Sequence, residues 1–226
     1  GTTSRSALEI AEMIEGVGGY INAYTSREVT AYYTRVLKND VGLSLNLLFD
    51  ILQNSVFEAK EIEVERSVIL QEIGQTLDTP DDVIFDWLQE TAYPNQALGR
   101  SILGPSEQVA NFTRKDLISF IKEHYRPERM ILSAAGAVDH SSVVKFAENT
   151  FGTLTNSSDI AEFSTASFHS GDYRKQKSLE QAHLALAFES PGYLDDGIYT
   201  SQIYSIALGG GTVSYTHLTL PTIFRV

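Results

Sequence analysis

The sequence has no cysteine. That excludes disulfide scaffolds, thiolate zinc sites, iron–sulfur clusters and cysteine nucleophiles. It also lacks a basic excess. Lys and Arg number 17 against 29 Asp and Glu, a formal net charge of −12. Such a chain cannot supply the cations that displace phosphate counterions, so nucleic acid is not an expected partner. No apolar run approaches the ~20 residues of a membrane-crossing helix, so no membrane partner is expected. No signal-peptide pattern is present, but with an upstream segment expected this says nothing about the compartment; the expected compartment is the cytoplasm.

Several chemical motifs are missing as well. The five histidines, His124, His140, His169, His183 and His217, are isolated, with no H-x-x-x-H or H-x-H spacing. There is no G-x-S-x-G elbow. Gly16-Val17-Gly18-Gly19 follows a helical pattern and precedes a strand pattern, the wrong order for a phosphate-binding loop.

What is present suits a globular protein. Of 226 residues, 42 % are hydrophobic and 20 % charged, enough to bury a core without disulfides. Ser6 and Glu9 form a capping-box pattern. Ala7, Ile10, Ala11 and Ile14 then follow helical spacing. Tyr20–Tyr24 and Val29–Val36 are strand-like, with Thr25-Ser26-Arg27-Glu28 as the connection of a hairpin. From Asp40 a helix carries Leu43, Leu47, Leu48, Ile51 and Leu52 on one face. Further helices are predicted over Glu58–Gln75, from Thr79-Pro80-Asp81-Asp82 onward, from Thr113–Asp116 onward, over Ser141–Phe151 and over Asp195–Leu208. Tyr93–Val109 should be mostly loop, while Met130–Val138 and Ala182–Phe188 read as strands.

These elements predict a domain over residues 1–158, a linker over 159–171 and the start of a second domain over 172–211. Residues 212–226 fit no core and resemble a translated sequencing adaptor, so they are expected to be a non-native tail. The first patterned helix lies close to Gly1, so an upstream segment is expected.

One helix carries a pattern with chemical content. Glu58, Glu65 and Glu72 are spaced by seven, with Glu61 between them. Seven steps of an α-helix return to within about 20° of the same face. Glu65 and Glu72 therefore project from one side, two turns apart. They could ligate or orient a metal, or simply form a solvated acidic face with Lys60 and Arg66. Asn22-Ala23-Tyr24 has a similar ambiguity. It is either an ordinary hairpin strand or one whose free edge accepts an extended peptide.

Taken together, the motifs resemble the pitrilysin/insulinase family of zinc peptidases. The resemblance rests on Gly1-Thr2-Thr3, on Gly18 through Glu28, on Tyr32-Tyr33, on Glu65 through Ile73, on Leu98 through Gly104, and on His124-Tyr125. It is strongest toward bacterial relatives of the mitochondrial processing peptidase β subunit and covers about Gly1 to Gly211.

The resemblance implies an α+β, two-layer fold, each domain an antiparallel sheet with helices on one face. Two such domains make a half, and two halves enclose a chamber. It implies Zn2+ held by two histidines of an H-x-x-E-H helix, whose glutamate is the general base. It implies Glu72 as the third ligand, Glu65 as a supporting carboxylate, and Asn22, Ala23 and Tyr24 as the strand that receives peptide substrate. The expected partners are that peptide and a second family half or subunit, as a homo- or heterodimer. The net charge of −12 points to basic peptides. No H-x-x-E-H occurs within the 226 residues. The chain by itself is therefore expected neither to hold catalytic zinc nor to hydrolyse peptides. The second expectation is a non-catalytic subunit of the same family, serving substrate recognition or assembly.

Overall fold

The structure, a computed structural model, describes residues 1–152 and 164–209. The chain forms two compact units, Gly1–His183 and Leu184–Val226. The expected tail lies outside the described residues, as do residues 159–163 of the expected linker.

The first unit opens with helix α1, Ala7–Glu15. Its capping box is complete: Glu9 N donates to Ser6 Oγ at 3.2 Å, and Ser6 N donates to Glu9 Oε2 at 2.7 Å. The helix stops at Gly16, and Gly18 takes the left-handed φ of +68° that turns the chain toward the sheet. Gly19 allows a close approach there. A Cβ on it would meet Ile14 O at 2.8 Å and Val36 Cγ1 at 2.9 Å.

Strands β1 (Tyr20–Thr25) and β2 (Thr30–Arg35) pair antiparallel, with Tyr20 opposite Arg35 and Thr25 opposite Thr30. Helix α2 (Val41–Asn54) follows a short 3-10 turn, and α1 and α2 pack on this hairpin. The core lies between these elements. Ile10, Ile14 and Leu47 are buried, with Ile21, Val36, Leu43 and Ile51 packed against them. Helical spacing in the sequence identified Ile10, Ile14, Leu43, Leu47 and Ile51, while Ile21 and Val36 join from the hairpin.

Helix α3 (Ala59–Asp78) passes almost directly into α4 (Pro80–Ala92). Thr79 stands at the predicted cap position with Pro80 at the first helical turn. Its side chain does not cap α4, however. The hydroxyl donates backwards to Gln75 O at 2.8 Å and so closes α3 instead. Tyr93 to Pro105 is irregular apart from one 3-10 turn, but Ser106–Asn111 forms helix α5. Six residues are too few to show a period in sequence. Burial of Val109, together with contact with α3, holds α5 in place. Helix α6 (Arg114–His124) starts with a second complete capping box, Thr113 with Asp116. Helix α7 (His140–Phe151) starts at Asp139, whose carboxylate accepts from Ser142 N at 2.8 Å.

Two predicted strands are not strands here. Residues 130–138 run without regular structure, although Met130 keeps extended angles (φ −113°, ψ 138°). Residues 182–188 likewise have no regular structure. An extended run becomes a strand only when its N–H and C=O groups meet a partner ladder. None is available among the described residues, and Ile131 is left 94 % exposed. Leu184, Leu186 and Phe188 are exposed in the same way, in strand-like alternation. Among the described residues the sheet is thus two strands with α1 and α2 packed on it, and the architecture is α+β as expected.

The described part of the second unit contains a turn-rich stretch and helix α8, Ile198–Gly209. Gly197 N donates to Asp195 Oδ1 at 2.7 Å just ahead of it. Among the described residues, no helix is long and apolar enough to cross a membrane.

One buried carboxylate anchors the N-terminal segment. Asp50 is 3 % exposed. Thr2 Oγ1 and Ser4 Oγ donate to its Oδ2 at 2.8 and 2.9 Å, Asn54 Nδ2 donates to Oδ1 at 2.8 Å, and Arg5 pairs with it. Burial pushes the acid's pKa up, but the bonds from Asn54, Thr2, Arg5 and Ser4 outweigh it and hold the value at about 2. The folded pKa is depressed, so the stabilisation is complete above the ordinary carboxylate value and disappears as pH falls through about 2. Its size is on the order of 2 kcal/mol. Urea unfolding of the wild type should show this loss between about pH 4 and pH 2, and Asp50→Asn should lack it. Parallel loss in both proteins would assign the pH dependence to another group.

Candidate active site

Helix α3 carries the carboxylates singled out by their spacing. Glu65 and Glu72 are both exposed. Glu65 lines an apolar cleft of 410 Å³, with Gly1, Phe57, Ile62, Ile69 and Phe112 among its other walls. Glu72 lies two turns further along the same side and is not part of that lining.

Arg66, the cation beside them, pairs with neither Glu65 nor Glu72. Its guanidinium meets Glu63 at 3.2 Å and donates to Phe112 O at 2.7 Å and to Val109 O, tying α3 to α5 and the turn after it. Neither Glu65 nor Glu72 has a hydrogen-bond or ion-pair partner among the described residues.

The N-terminal motif borders the same cleft. Thr3 N donates to Asn54 O at 2.9 Å and Val56 N donates to Gly1 O at 3.2 Å, so residues 1–3 lie along the end of α2. Arg114, at the start of α6, donates to Phe57 O and Val56 O, both at 2.9 Å. Phe57 itself takes a positive φ of 49°.

Asn22, Ala23 and Tyr24 are all exposed on β1. Among the described residues β1 pairs only with β2, which leaves its other edge without a strand. The tyrosines of this face stand in a row. The Tyr20 and Tyr24 rings approach Tyr33 at centroid distances of 6.1 and 6.2 Å.

Segments far apart in sequence meet around the hairpin. The Tyr32 and Tyr125 hydroxyls lie 2.9 Å apart, and burial, reinforced by that contact, pushes the Tyr32 phenol well above its ordinary range. Arg27 at the hairpin tip donates to Asp86 Oδ1 at 2.8 Å and to Arg100 O. Ser101 Oγ donates to the other carboxylate oxygen of Asp86, also at 2.8 Å. Sequence patterning missed this junction, because a charged residue in a polar turn has the pattern of an ordinary solvated turn.

No group of three or more His, Cys, Asp or Glu is placed to hold a metal ion among the described residues. His124 is occupied by Arg129 at 3.1 Å and by the Phe120 ring. His169 N donates to Ala92 O at 2.9 Å in a segment laid against the end of α4. His217 lies outside the described residues.

Comparison with known proteins places the chain in a family. Residues 1–106 match the family described as Insulinase (Peptidase family M16), and residues 111–221 match the Peptidase M16 inactive domain. An uncharacterized zinc protease of Rickettsia felis is 42 % identical over 215 residues, covering 95 % of this chain and 52 % of the relative. The human mitochondrial-processing peptidase subunit beta is 40 % identical over 196 residues, covering 85 % of this chain and 40 % of that protein. The crystal structure of a protease from Helicobacter pylori superposes with a TM-score of 0.66 at 25 % identity, over 71 % of this chain and 39 % of that one. A peptidase M16 inactive domain from Pseudomonas fluorescens shares the fold, with a TM-score of 0.67 at 15 % identity over 74 % of this chain and 41 % of that one. Fold and relatives together place the chain among the α+β proteins of a peptidase family. The chain belongs to the insulinase, or M16, peptidase family. It spans about half the length of the curated relatives it matches.

Proposed function

We propose that this chain is the glutamate-helix and substrate-strand portion of a zinc metalloendopeptidase, and that the complete protein hydrolyses peptides with a metal-activated water. In this reading Glu72 is a metal ligand, Glu65 a supporting carboxylate, and Asn22, Ala23 and Tyr24 the strand along which a peptide lies. The observation that carries it is the pair of carboxylates on one side of α3, left without partners while Arg66 is engaged elsewhere. The names of the relatives, zinc protease and processing peptidase, support the same chemistry. That one relative is named as a subunit supports a second half or subunit as partner.

The donor set of these 226 residues does not fit zinc. A catalytic zinc takes three protein ligands and keeps one open position. The chain assigns one carboxylate to that task and has no H-x-x-E-H. The roles left to its own residues are positional. The β1 edge can exchange backbone hydrogen bonds with an extended peptide. The acidic balance favours peptides with basic residues.

Titration calorimetry of the 226-residue chain with zinc should show no tight stoichiometric binding, and a peptide digest should show no cleavage. The complete protein should bind one zinc per site and cleave. Tight one-to-one zinc binding by the chain would overturn the first part. A complete protein with neither zinc nor cleavage would make this a non-catalytic subunit.

A further inference from the structure

We propose that Arg27 is a positioning residue, which fastens the tip of the β1–β2 hairpin to α4 through Asp86 and so fixes the substrate-receiving edge of β1 relative to the glutamate helix α3. The inference rests on the peptide-strand reading above and names the residue that holds that strand in place.

A two-stranded hairpin is marginal by itself in water and needs external support along its length. Its base has such support in Ile21 and Val36, which pack on the Ile10, Ile14 and Leu47 core. The middle of β2 is held by Tyr32 against Tyr125 and by the Thr34 hydroxyl against Ser44. The tip is shaped locally by Ser26, whose N and Oγ both donate to Val29 O, at 2.7 and 3.0 Å. Those bonds fix the turn's form but not its position in the fold. Among the described residues, Arg27 reaches out from the turn, to Asp86 on α4 and to the Arg100 carbonyl in the loop beyond it.

The acceptor is itself held. Asp86 uses its second oxygen to accept from Ser101 Oγ, so the carboxylate is fixed from both sides. The guanidinium is 19 % exposed and the carboxylate 29 %, so this pair is partly shielded rather than a free surface contact. Helix α4 follows α3 across Thr79 alone and packs against it. At the hairpin tip, one path from Asn22-Ala23-Tyr24 to Glu65 and Glu72 therefore runs through the Arg27–Asp86 pair and the α3–α4 junction.

The consequence is kinetic. Backbone hydrogen bonds along β1 would still capture a peptide if the tip swung free, so KM should change little. Placement of the scissile bond would loosen, and small misplacements are costly in kcat. In the complete zinc-loaded protein, Arg27→Ala should lower kcat on the order of 10- to 100-fold, with KM changed less than about threefold. Asp86→Asn should act in the same direction, and the double variant should be no worse than Arg27→Ala alone, because the alanine already removes the contact with Asp86 together with that to the Arg100 carbonyl. Arg27→Lys should recover activity only in part, since lysine cannot serve Asp86 and the Arg100 carbonyl with a planar fork.

Amide hydrogen exchange on the 226-residue chain gives a readout independent of activity. Arg27→Ala should speed exchange in residues 20–29 roughly tenfold while α1 and α2 stay unchanged. Unchanged exchange at the tip, or a KM effect in place of a kcat effect, would overturn the inference. An inactive wild type with the exchange result intact would overturn the peptidase reading and leave the clamp standing as a structural one.

Discussion

Leu47→Ala should lower the stability of the first unit by about 3–5 kcal/mol. Leu47 is 0 % exposed and sits where α1, α2 and the hairpin meet. Ile10 and Ile14 reach it from α1, while Ile21 and Val36 close in from the sheet side. Truncation removes the transfer energy of the lost methyl groups and leaves a cavity whose walls belong to several elements. Those walls cannot all move inward at once, which places the cost toward the upper end of the range. A domain's total stability is of the order of 5–15 kcal/mol, so the variant should unfold at much lower urea and expose the hairpin to proteolysis. Leu48→Ala is the control. It is only partly buried on the same helix and should cost clearly less. Equal midpoints for the two variants would mean that the core is not centred on Leu47.

The legible and illegible parts of the fold divide along a physical line. Features set by neighbours in sequence could be read directly. Ser6 with Glu9 and Thr113 with Asp116 are capping boxes because the partners lie three residues apart, and both are formed. Leu47 was identifiable as core because helical period alone puts it with Leu43 and Ile51. Features set by distant partners could not be read. The run from Met130 to Val138 has strand composition but lacks a neighbouring strand among the described residues, and composition cannot supply one. Helix α5 is shorter than two turns and is held by its contact with α3, with Val109 buried. At the candidate site, helical geometry correctly put Glu65 and Glu72 on one side of α3. It gave no sign that Arg66 would turn to Glu63 and the carbonyls of Val109 and Phe112. The contact between Tyr32 and Tyr125 spans 93 residues, and that between Arg27 and Asp86 spans 59. No local period encodes either.

Glu72→Gln in the complete protein should have the largest effect on activity. Glutamine keeps the shape of the side chain but removes the anionic oxygen that a hard-ligand site requires, so bound zinc and peptide cleavage should fall together. Glu65→Gln should behave differently. Loss of a supporting partner typically costs about 10–100-fold while the metal stays bound. Zinc content measured beside kcat therefore separates the roles: Glu72→Gln loses both, and Glu65→Gln loses rate alone. If Glu65→Gln lost the metal and Glu72→Gln kept it, the two assignments would be exchanged. If both variants kept metal and rate, α3 would carry only a solvated acidic face. Folding should not blur the comparison. Both carboxylates are exposed and unpartnered among the described residues, and surface substitutions of that kind stay within about 0.5 kcal/mol. A loss of cleavage at unchanged thermal stability would therefore belong to the site and not to the scaffold that carries it.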